Sequence, residues 1–170
     1  MPFYEIEHAF NLPKSQRDEL AQAITRIHAR KFAAPSLFVN IRFTDSKDHR
    51  NYVGGKECDV NRIFAYVRAG GTRKKADFDD LAHQIVDAWD RIINSAEEGS
   101  REKVLNRVFV MDAITAGVES GFALPRAGED GDWLKANMLK FEQLAAEGDE
   151  NFVRLVDELR SREDLPALRI

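Results

Sequence analysis

Pro2 is the residue whose position in this sequence most suits it to chemistry, because it follows Met1 directly. A small second residue normally permits removal of the initiator methionine, so we expect a free proline secondary amine at the start of a strand. An N-terminal amine has a pKa of roughly 7.7 to 8, and burial or a nearby cation lowers it by disfavouring the charged form. In a pocket that contains arginine, Pro2 would therefore be a base at neutral pH. Many chains begin with Met-Pro by chance, so Pro2 alone does not establish a function.

Four further side chains could complete a site around such an amine. His28 lies on the edge of an apolar helical stripe, where a packing role is the simpler alternative. Arg68 and Arg73 flank a glycine turn, and arginine near a strand end binds carboxylates in a forked geometry, although it could also be a solvated turn residue. Glu119 lies in the mostly apolar segment 117–125, where a carboxyl suits general acid or base chemistry, with a surface loop glutamate as the alternative.

The elements that must position these residues begin with a β-α-β pattern in residues 1–45. Side chains alternate over 2–10, which predicts a strand. A sequence like a capping box at Ser15 and helical spacing of apolar residues up to about Phe32 predict a helix. Alternation over 37–43 predicts a second strand.

The same order of elements recurs in residues 62–112. A strand over 63–67, a turn at Gly70 and Gly71, a helix with apolar residues from Phe78 to Ile93, and a strand over 107–111 are predicted. The polar insertion 45–61 contains a Val-Gly-Gly sequence that could turn a hairpin. Two right-handed β-α-β units side by side predict an α+β fold, with a four-stranded sheet and both helices on one face. Another surface must then cover the second face.

The C-terminal part, residues 113–170, is predicted to hold an active-site loop and a helical extension of one domain that spans 1–170. Helical spacing occurs over 133–144 and again over 152–159, after a loop at 128–132. These helices could wrap the domain or reach a neighbouring subunit.

Composition excludes several classes of function. The chain has 170 residues, with 44% hydrophobic and 32% charged, as in ordinary globular proteins, and no apolar run long enough for a membrane span. We expect no secretory signal and no internal disulfide from the single Cys58, which predicts a cytoplasmic protein. Scattered cations at a net charge of −4 argue against nucleic acid, and the four histidines lack the spacing of a metal site. No glycine-rich phosphate motif opens a helix, so no cofactor is expected.

Together these residues resemble the tautomerase superfamily, and within it the group of cis-3-chloroacrylic acid dehalogenase, from Pro2 to about Trp133. The matching positions are Pro2, Phe3 and Tyr4; Ala23, Ile24, Thr25 and His28; Ile63 and Phe64; Arg73; Leu81, Ala82, Ile85 and Val86; Glu119, Gly121, Leu124 and Pro125; and Gly128, Gly131 and Trp133.

The resemblance implies roles for particular residues. Pro2 would be the catalytic acid or base, His28 and Arg73 would bind a substrate carboxylate, and Glu119 would act on water or assist proton transfer. Tyr4 matches a family tyrosine and is expected to reach the pocket. The resemblance also implies a fold like that of macrophage migration inhibitory factor, assembled as a homotrimer with three sheets facing one another.

Two departures from the family pattern decide which of the possible functions ranks first. The family has two turn arginines three residues apart, whereas the earlier position here is Gly70 and the nearest candidate is Arg68. A family tyrosine before the glutamate segment aligns with Val108. We therefore predict a tautomerase of small enol or 2-oxo carboxylates, with a hydratase or hydrolytic dehalogenase of 3-haloacrylate-like acids as the alternative. A non-catalytic binding protein is a further alternative if Met1 stays attached.

Overall fold

The computed structural model describes residues 1–94 and 100–165. The elements, in chain order, are β1 (Phe3–His8), α1 (Lys14–Lys31), β2 (Asn40–Asp45), β3 (Tyr52–Val53), β4 (Lys56–Glu57), β5 (Asn61–Val67), α2 (Lys75–Ile93), β6 (Leu105–Asp112), β7 (Val118–Glu119), β8 (Phe122–Ala123), α3 (Asp130–Ala146) and α4 (Glu150–Ser161). No helix in the described ranges is both long and apolar enough to cross a membrane.

The predicted four-stranded sheet is present, with strand order β2-β1-β5-β6. Strands β1 and β2 run parallel, as do β5 and β6, while β1 and β5 run antiparallel in the centre. Each parallel pair is joined by its helix, α1 or α2, because parallel strands need a crossover connection. The α+β prediction of two β-α-β units is confirmed.

Both helices pack on one face of the sheet. In β1 and β5 every second side chain is buried, including Tyr4, Ile6, Ile63 and Ala65. These side chains form one apolar cluster with the buried stripes of α1 and α2. The helical contribution to that cluster is Leu20, Ala23, Ile24, Leu81, Ile85, Ala88, Trp89, Ile92 and Ile93.

The opposite face of the sheet carries aromatic rings. Phe64 stacks on Phe109 with ring centroids 5.7 Å apart, and Phe3 lies 5.9 Å from Tyr66. Phe109, on the edge strand β6, is 44% exposed, which is unusual for a phenylalanine. This aromatic face is the second face that the sequence predicted to need a cover.

The helical extension forms a second apolar cluster beside the sheet. Helices α3 and α4 pack against each other, and α4 also contacts the turn at Ser36–Phe38. The cluster takes in Met1, the first residue of the chain, as well as Phe38 and Phe122. The start of the chain is therefore anchored by residues far along the sequence.

Several predicted boundaries were wrong because tertiary contacts override local pattern. Residues 37–39 are not strand: a 3-10 turn spans Ser36–Phe38, where the Glu158 carboxylate accepts from the Ser36 backbone N–H and hydroxyl. Helix α1 starts at Lys14 with Pro13 as its N-cap and without a side-chain capping hydrogen bond, so the capping box predicted at Ser15 is absent.

Two predicted loops contain regular structure. Segment 117–125 folds into the β7–β8 hairpin, whose turn residues Ser120 and Gly121 have φ values of 50° and 82°. Two positive φ values match the twist of a tight hairpin. Helix α3 begins at Asp130, inside the loop predicted at 128–132. The first turn of α3 thereby becomes part of the site described next.

Candidate active site

A close backbone approach holds the arginine turn against the segment before α3. Gly71 has a φ of 63°, and a Cβ at this position would lie 2.6 Å from the Ala127 carbonyl oxygen. Only glycine fits such a contact and such a φ without strain. The turn between β5 and α2 therefore packs directly on residues 125–128.

Arg68 is buried at the end of β5. Its Nη1 donates to the Pro125 and Arg126 carbonyl oxygens, and its Nη2 donates to Asp130 Oδ1 at 2.5 Å. The side chain is 5% exposed, yet no acceptor among the described residues reaches its Nε–H. A buried donor without a partner is costly, so this N–H is a position where a bound ligand oxygen would be stabilised.

Arg73 joins the same ion pair from the start of α2. Its Nη2 donates to Asp130 Oδ2 at 3.2 Å, its Nη1 donates to the Arg68 carbonyl oxygen, and its guanidinium lies 4.6 Å from the Phe32 ring centroid. Burial lowers the pKa of Arg73, while Asp130 opposes that shift. Both arginines predicted as substrate ligands thus share one internal carboxylate.

Asp130 was missed by sequence reasoning. It is buried in the first turn of α3, in a glycine and acid-rich stretch that the sequence assigned to a loop. Its partners lie 62 and 57 residues earlier in the chain. No local pattern signals such a pairing.

His28 and Tyr4 form a buried hydrogen-bonded pair. The Tyr4 hydroxyl lies 2.7 Å from His28 Nδ1, and the His28 ring lies 4.8 Å from the Phe32 ring, on which Arg73 also packs. Burial lowers the pKa of His28 to about 3, and the positive charges of the chain terminus, Arg73 and Arg68 add to the effect. His28 is therefore neutral near pH 7, and its Nδ1 is engaged by the Tyr4 hydroxyl.

The start of the chain lies among these charges. Burial, followed by the positive charge of Arg68, lowers the pKa of the Met1 amine from 8.0 to about 5, while Asp130 and Glu119 oppose that shift. Pro2 is itself buried, and its carbonyl oxygen accepts from the Asn40 N–H at 3.1 Å. An amine at this point of the fold is largely unprotonated at neutral pH.

Asn40 also fixes Glu119, a contact that sequence reasoning missed. The Asn40 side-chain amide donates to Glu119 Oε1 at 3.0 Å, across 79 residues of sequence. The same asparagine therefore ties the start of β1 to the β7–β8 hairpin. Glu119 is partly buried and close enough to the chain terminus to affect the pKa of its amine.

A cleft gives solvent access to Arg73 and Asp130. It has a volume of about 420 Å³ and lies between the end of α1, the arginine turn and the first turn of α3, where it contacts Arg73 and Asp130. Within the described ranges, no group of three or more His, Cys, Asp or Glu residues could hold a metal ion. The chemistry that this arrangement supports is proton transfer on a small anion.

Comparison with known proteins places this geometry in context. Residues 1–138 match the family model of putative oxalocrotonate tautomerase enzymes. A search of curated proteins found no match.

Solved structures share the fold. The structure of N1, a member of the cis-3-chloroacrylic acid dehalogenase family, has a TM-score of 0.66 and 22% identity, covering 85% of this chain and 99% of that one. A fused 4-OT wild-type symmetric trimer has a TM-score of 0.57 and 16% identity, covering 74% and 98%. Macrophage migration inhibitory factor of Toxoplasma gondii has a TM-score of 0.53 and 14% identity, and the match covers 72% of this chain and 99% of that one. At these identities the likeness concerns the fold.

Proposed function

Because this chain belongs to the tautomerase family whose model matches residues 1–138, we propose that it is an enzyme that tautomerises small enol or 2-oxo carboxylates with the Pro2 amine as proton carrier. The observation that carries the proposal is the position of the chain terminus. The Met1 amine is buried there, and burial and Arg68 lower its pKa to about 5; the same surroundings would lower the pKa of a Pro2 amine once Met1 is removed. A base of this kind is available at neutral pH without a metal or cofactor.

The substrate carboxylate would bind at the two arginines. Arg68 and Arg73 together carry two positive charges, and Asp130 compensates one of them, which leaves one net cation for one carboxylate. The Arg68 Nε–H would donate to a carboxylate oxygen, which gives this N–H the partner that it lacks. The family has a second turn arginine at the position where this chain has Gly70. In this proposal Arg68 takes the role of that arginine, and Asp130 positions both guanidinium groups.

Proton transfer would follow from this binding mode. The Pro2 nitrogen takes the proton of the enol hydroxyl, C2=O forms as the C2=C3 double bond is lost, and a proton is returned to C3. Neutral His28, fixed by Tyr4, supplies a hydrogen bond to the carboxylate or to the C2 oxygen. Glu119 assists proton transfer from its place beside the terminus.

The activity test compares two substrates. We expect measurable ketonisation of an aryl or alkyl enol-pyruvate and weak or no halide release from cis-3-chloroacrylate, because adding water needs further polar groups that are absent at Gly70 and Val108. Ultraviolet absorbance of the enol and ion-selective detection of chloride measure the two reactions. Halide release with the higher kcat/KM would reverse this assignment.

A hydratase or hydrolytic dehalogenase is the second candidate, and the Asn40–Glu119 contact favours it. Glu119 Oε1 is held at 3.0 Å from the Asn40 amide, a geometry in which a carboxylate could activate water. That reaction requires Pro2 to be protonated as an acid. Burial and Arg68, which lower the pKa of the Met1 amine, would also disfavour the protonated form of Pro2 that this reaction needs. Because Glu119 would activate the water in this reaction and only assists ketonisation, Glu119→Gln should impair halide release more than ketonisation.

The pH dependence of kcat/KM separates the two roles of Pro2. The unprotonated amine is the base, and burial and Arg68 both disfavour the protonated form of an amine at this place. We therefore expect ketonisation to rise with pH and to level off below roughly pH 7.7 to 8, where an unperturbed N-terminal amine titrates. Activity that instead falls as the pH rises over this range would assign Pro2 as an acid. Stopped-flow measurements over pH 4 to 9, with a stability check at each pH, give the profile.

Assembly as a homotrimer is part of the proposal. The exposed aromatic face around Phe64 and Phe109 supports it, as do the trimeric 4-OT relatives of the same fold. We expect sedimentation at a mass near three times 19.3 kDa. Phe109→Lys should dissociate the assembly, whereas Leu139→Lys, at a side chain 83% exposed on α3, should not. A wild-type monomer at micromolar concentration would contradict the trimer.

A further inference from the structure

Met1 links the polar site to the apolar cluster of the C-terminal helices. Met1 as a whole residue is 6% exposed, and it belongs to the cluster that α3 and α4 form with Phe38 and Phe122. Its amine, at the other end of the same residue, is close enough to Arg68 and Asp130 for both charges to affect its pKa. A single residue thus reaches from charged groups into an apolar environment.

Removal of Met1, which the proposed function requires, takes this side chain away. Protein interiors are closely packed, so an emptied site is refilled by collapse, by water or by a ligand. Water is a poor occupant because the buried members of the cluster are apolar. They are Phe38, Phe122, Leu134, Phe141, Phe152, Leu155, Val156, Leu159 and Leu165.

We infer that the space left by Met1 is a subsite for an apolar substituent of the substrate. The occupant would be flexible, unbranched and about as large as a methionine side chain, roughly four non-hydrogen atoms. This inference rests on the proposed function and adds a substrate class to it. The class is monocarboxylic 2-hydroxy-2-alkenoates that carry an apolar chain on C3.

The arrangement of groups fits such a molecule from end to end. The carboxylate binds at Arg68 and Arg73, C2 and C3 lie at the Pro2 nitrogen, and the chain on C3 enters the space next to that nitrogen. The enol hydroxyl loses its proton, C3 gains one, and the double bond moves from C2=C3 to C2=O, so no oxidant or second reactant is needed. The apolar chain takes no part in the reaction and contributes binding.

A second carboxylate at the end of the chain would be rejected. It would enter the apolar cluster without a charged partner, which is costly. Asp130 already neutralises one of the two arginine charges, so the site has no surplus cation for a second anion. The subsite therefore selects monocarboxylates over dicarboxylates of the same length.

Trp133 provides a direct probe of the subsite. Its ring lies 5.5 Å from that of Phe38 and 6.1 Å from that of Phe122, whereas the other tryptophan, Trp89, is buried in the sheet-helix cluster. Unreactive saturated carboxylates from propanoate to octanoate are added to protein whose loss of Met1 is verified by intact mass. The change in Trp133 fluorescence gives the affinity for each carboxylate. We expect affinity to rise about four-fold per methylene from butanoate to about heptanoate and then level off. Heptanedioate should bind at least roughly ten-fold more weakly than heptanoate.

Variants test the location of the subsite. Phe38→Leu replaces part of the wall by a smaller side chain and so enlarges the subsite. The chain length at which affinity levels off should then increase. Phe10→Leu, the same change in the sheet-helix cluster, should leave that chain length unchanged. A Pro2→Lys chain, whose bulky second residue retains Met1, should lose the dependence on chain length because the space stays filled.

Each outcome decides between the inference and the function on which it rests. Affinity independent of chain length, equal affinity for heptanedioate, or a wild-type chain that retains Met1 would overturn the subsite. Ketonisation without any chain-length dependence would leave the proposed function standing and remove the subsite alone. Chain-length-dependent binding without ketonisation of any enol would leave the subsite and remove the proposed function.

Discussion

Pro2→Ala is expected to reduce kcat/KM for ketonisation by between about 100-fold and 10,000-fold, the range that a positioned acid or base contributes. Alanine also permits removal of Met1, so an amine remains, but it is a primary amine with different basicity and geometry. The loss should appear in kcat, because Arg68, Arg73 and His28 would still bind the carboxylate. Steady-state kinetics on an alkyl enol-pyruvate measure it.

Two controls isolate the amine in the Pro2→Ala experiment. Intact mass must show that Met1 is removed from both proteins, and sedimentation must show the same assembly. Turnover unchanged by the substitution, in protein that has lost Met1, would end the proposal that Pro2 carries the proton. A wild-type chain that keeps Met1 would favour a non-catalytic binding protein on the same scaffold.

Arg73→Ala should lower kcat/KM by between about thirty-fold and a thousand-fold, equivalent to roughly 2 to 4 kcal/mol of lost binding to the substrate carboxylate. Much of the loss should appear as a higher KM. Arg73→Lys should restore activity only in part, because lysine lacks the planar fork that donates to Asp130 and to the Arg68 carbonyl oxygen.

The matched control for Arg73 is Arg91→Ala. Arg91 is exposed near the other end of α2, roughly 24 Å along the helix from its start, and should have no effect on kinetics. Arg68→Ala provides the contrast. If Arg68→Ala raised KM strongly while Arg73→Ala had no effect, the carboxylate would bind at Arg68 alone and the alignment of the turn would be wrong.

The periodicity of the sequence determined which elements form. Alternation in β1 and β5 and helical spacing in α1 and α2 predicted the sheet, its two β-α-β units and the face on which the helices pack. These patterns are local, since burial of one face requires apolar residues every second position in a strand and at three- or four-residue spacing in a helix. The sequence also identified Pro2, His28, Arg73 and Glu119 as candidates, although their chemical roles stay predictions.

Long-range contacts were decided only by the tertiary structure. Asp130 pairs with Arg68 across 62 residues, Asn40 binds Glu119 across 79, and Met1 packs among helices that begin after residue 129. Such contacts depend on how elements pack, and no short spacing in the sequence encodes them. Residues 37–39 illustrate the same limit, because the Glu158 carboxylate stabilises the turn at Ser36–Phe38 where local alternation predicted a strand. The sequence could therefore name most of the groups in the candidate site, while their partners, charges and surroundings were set by packing between distant parts of the chain.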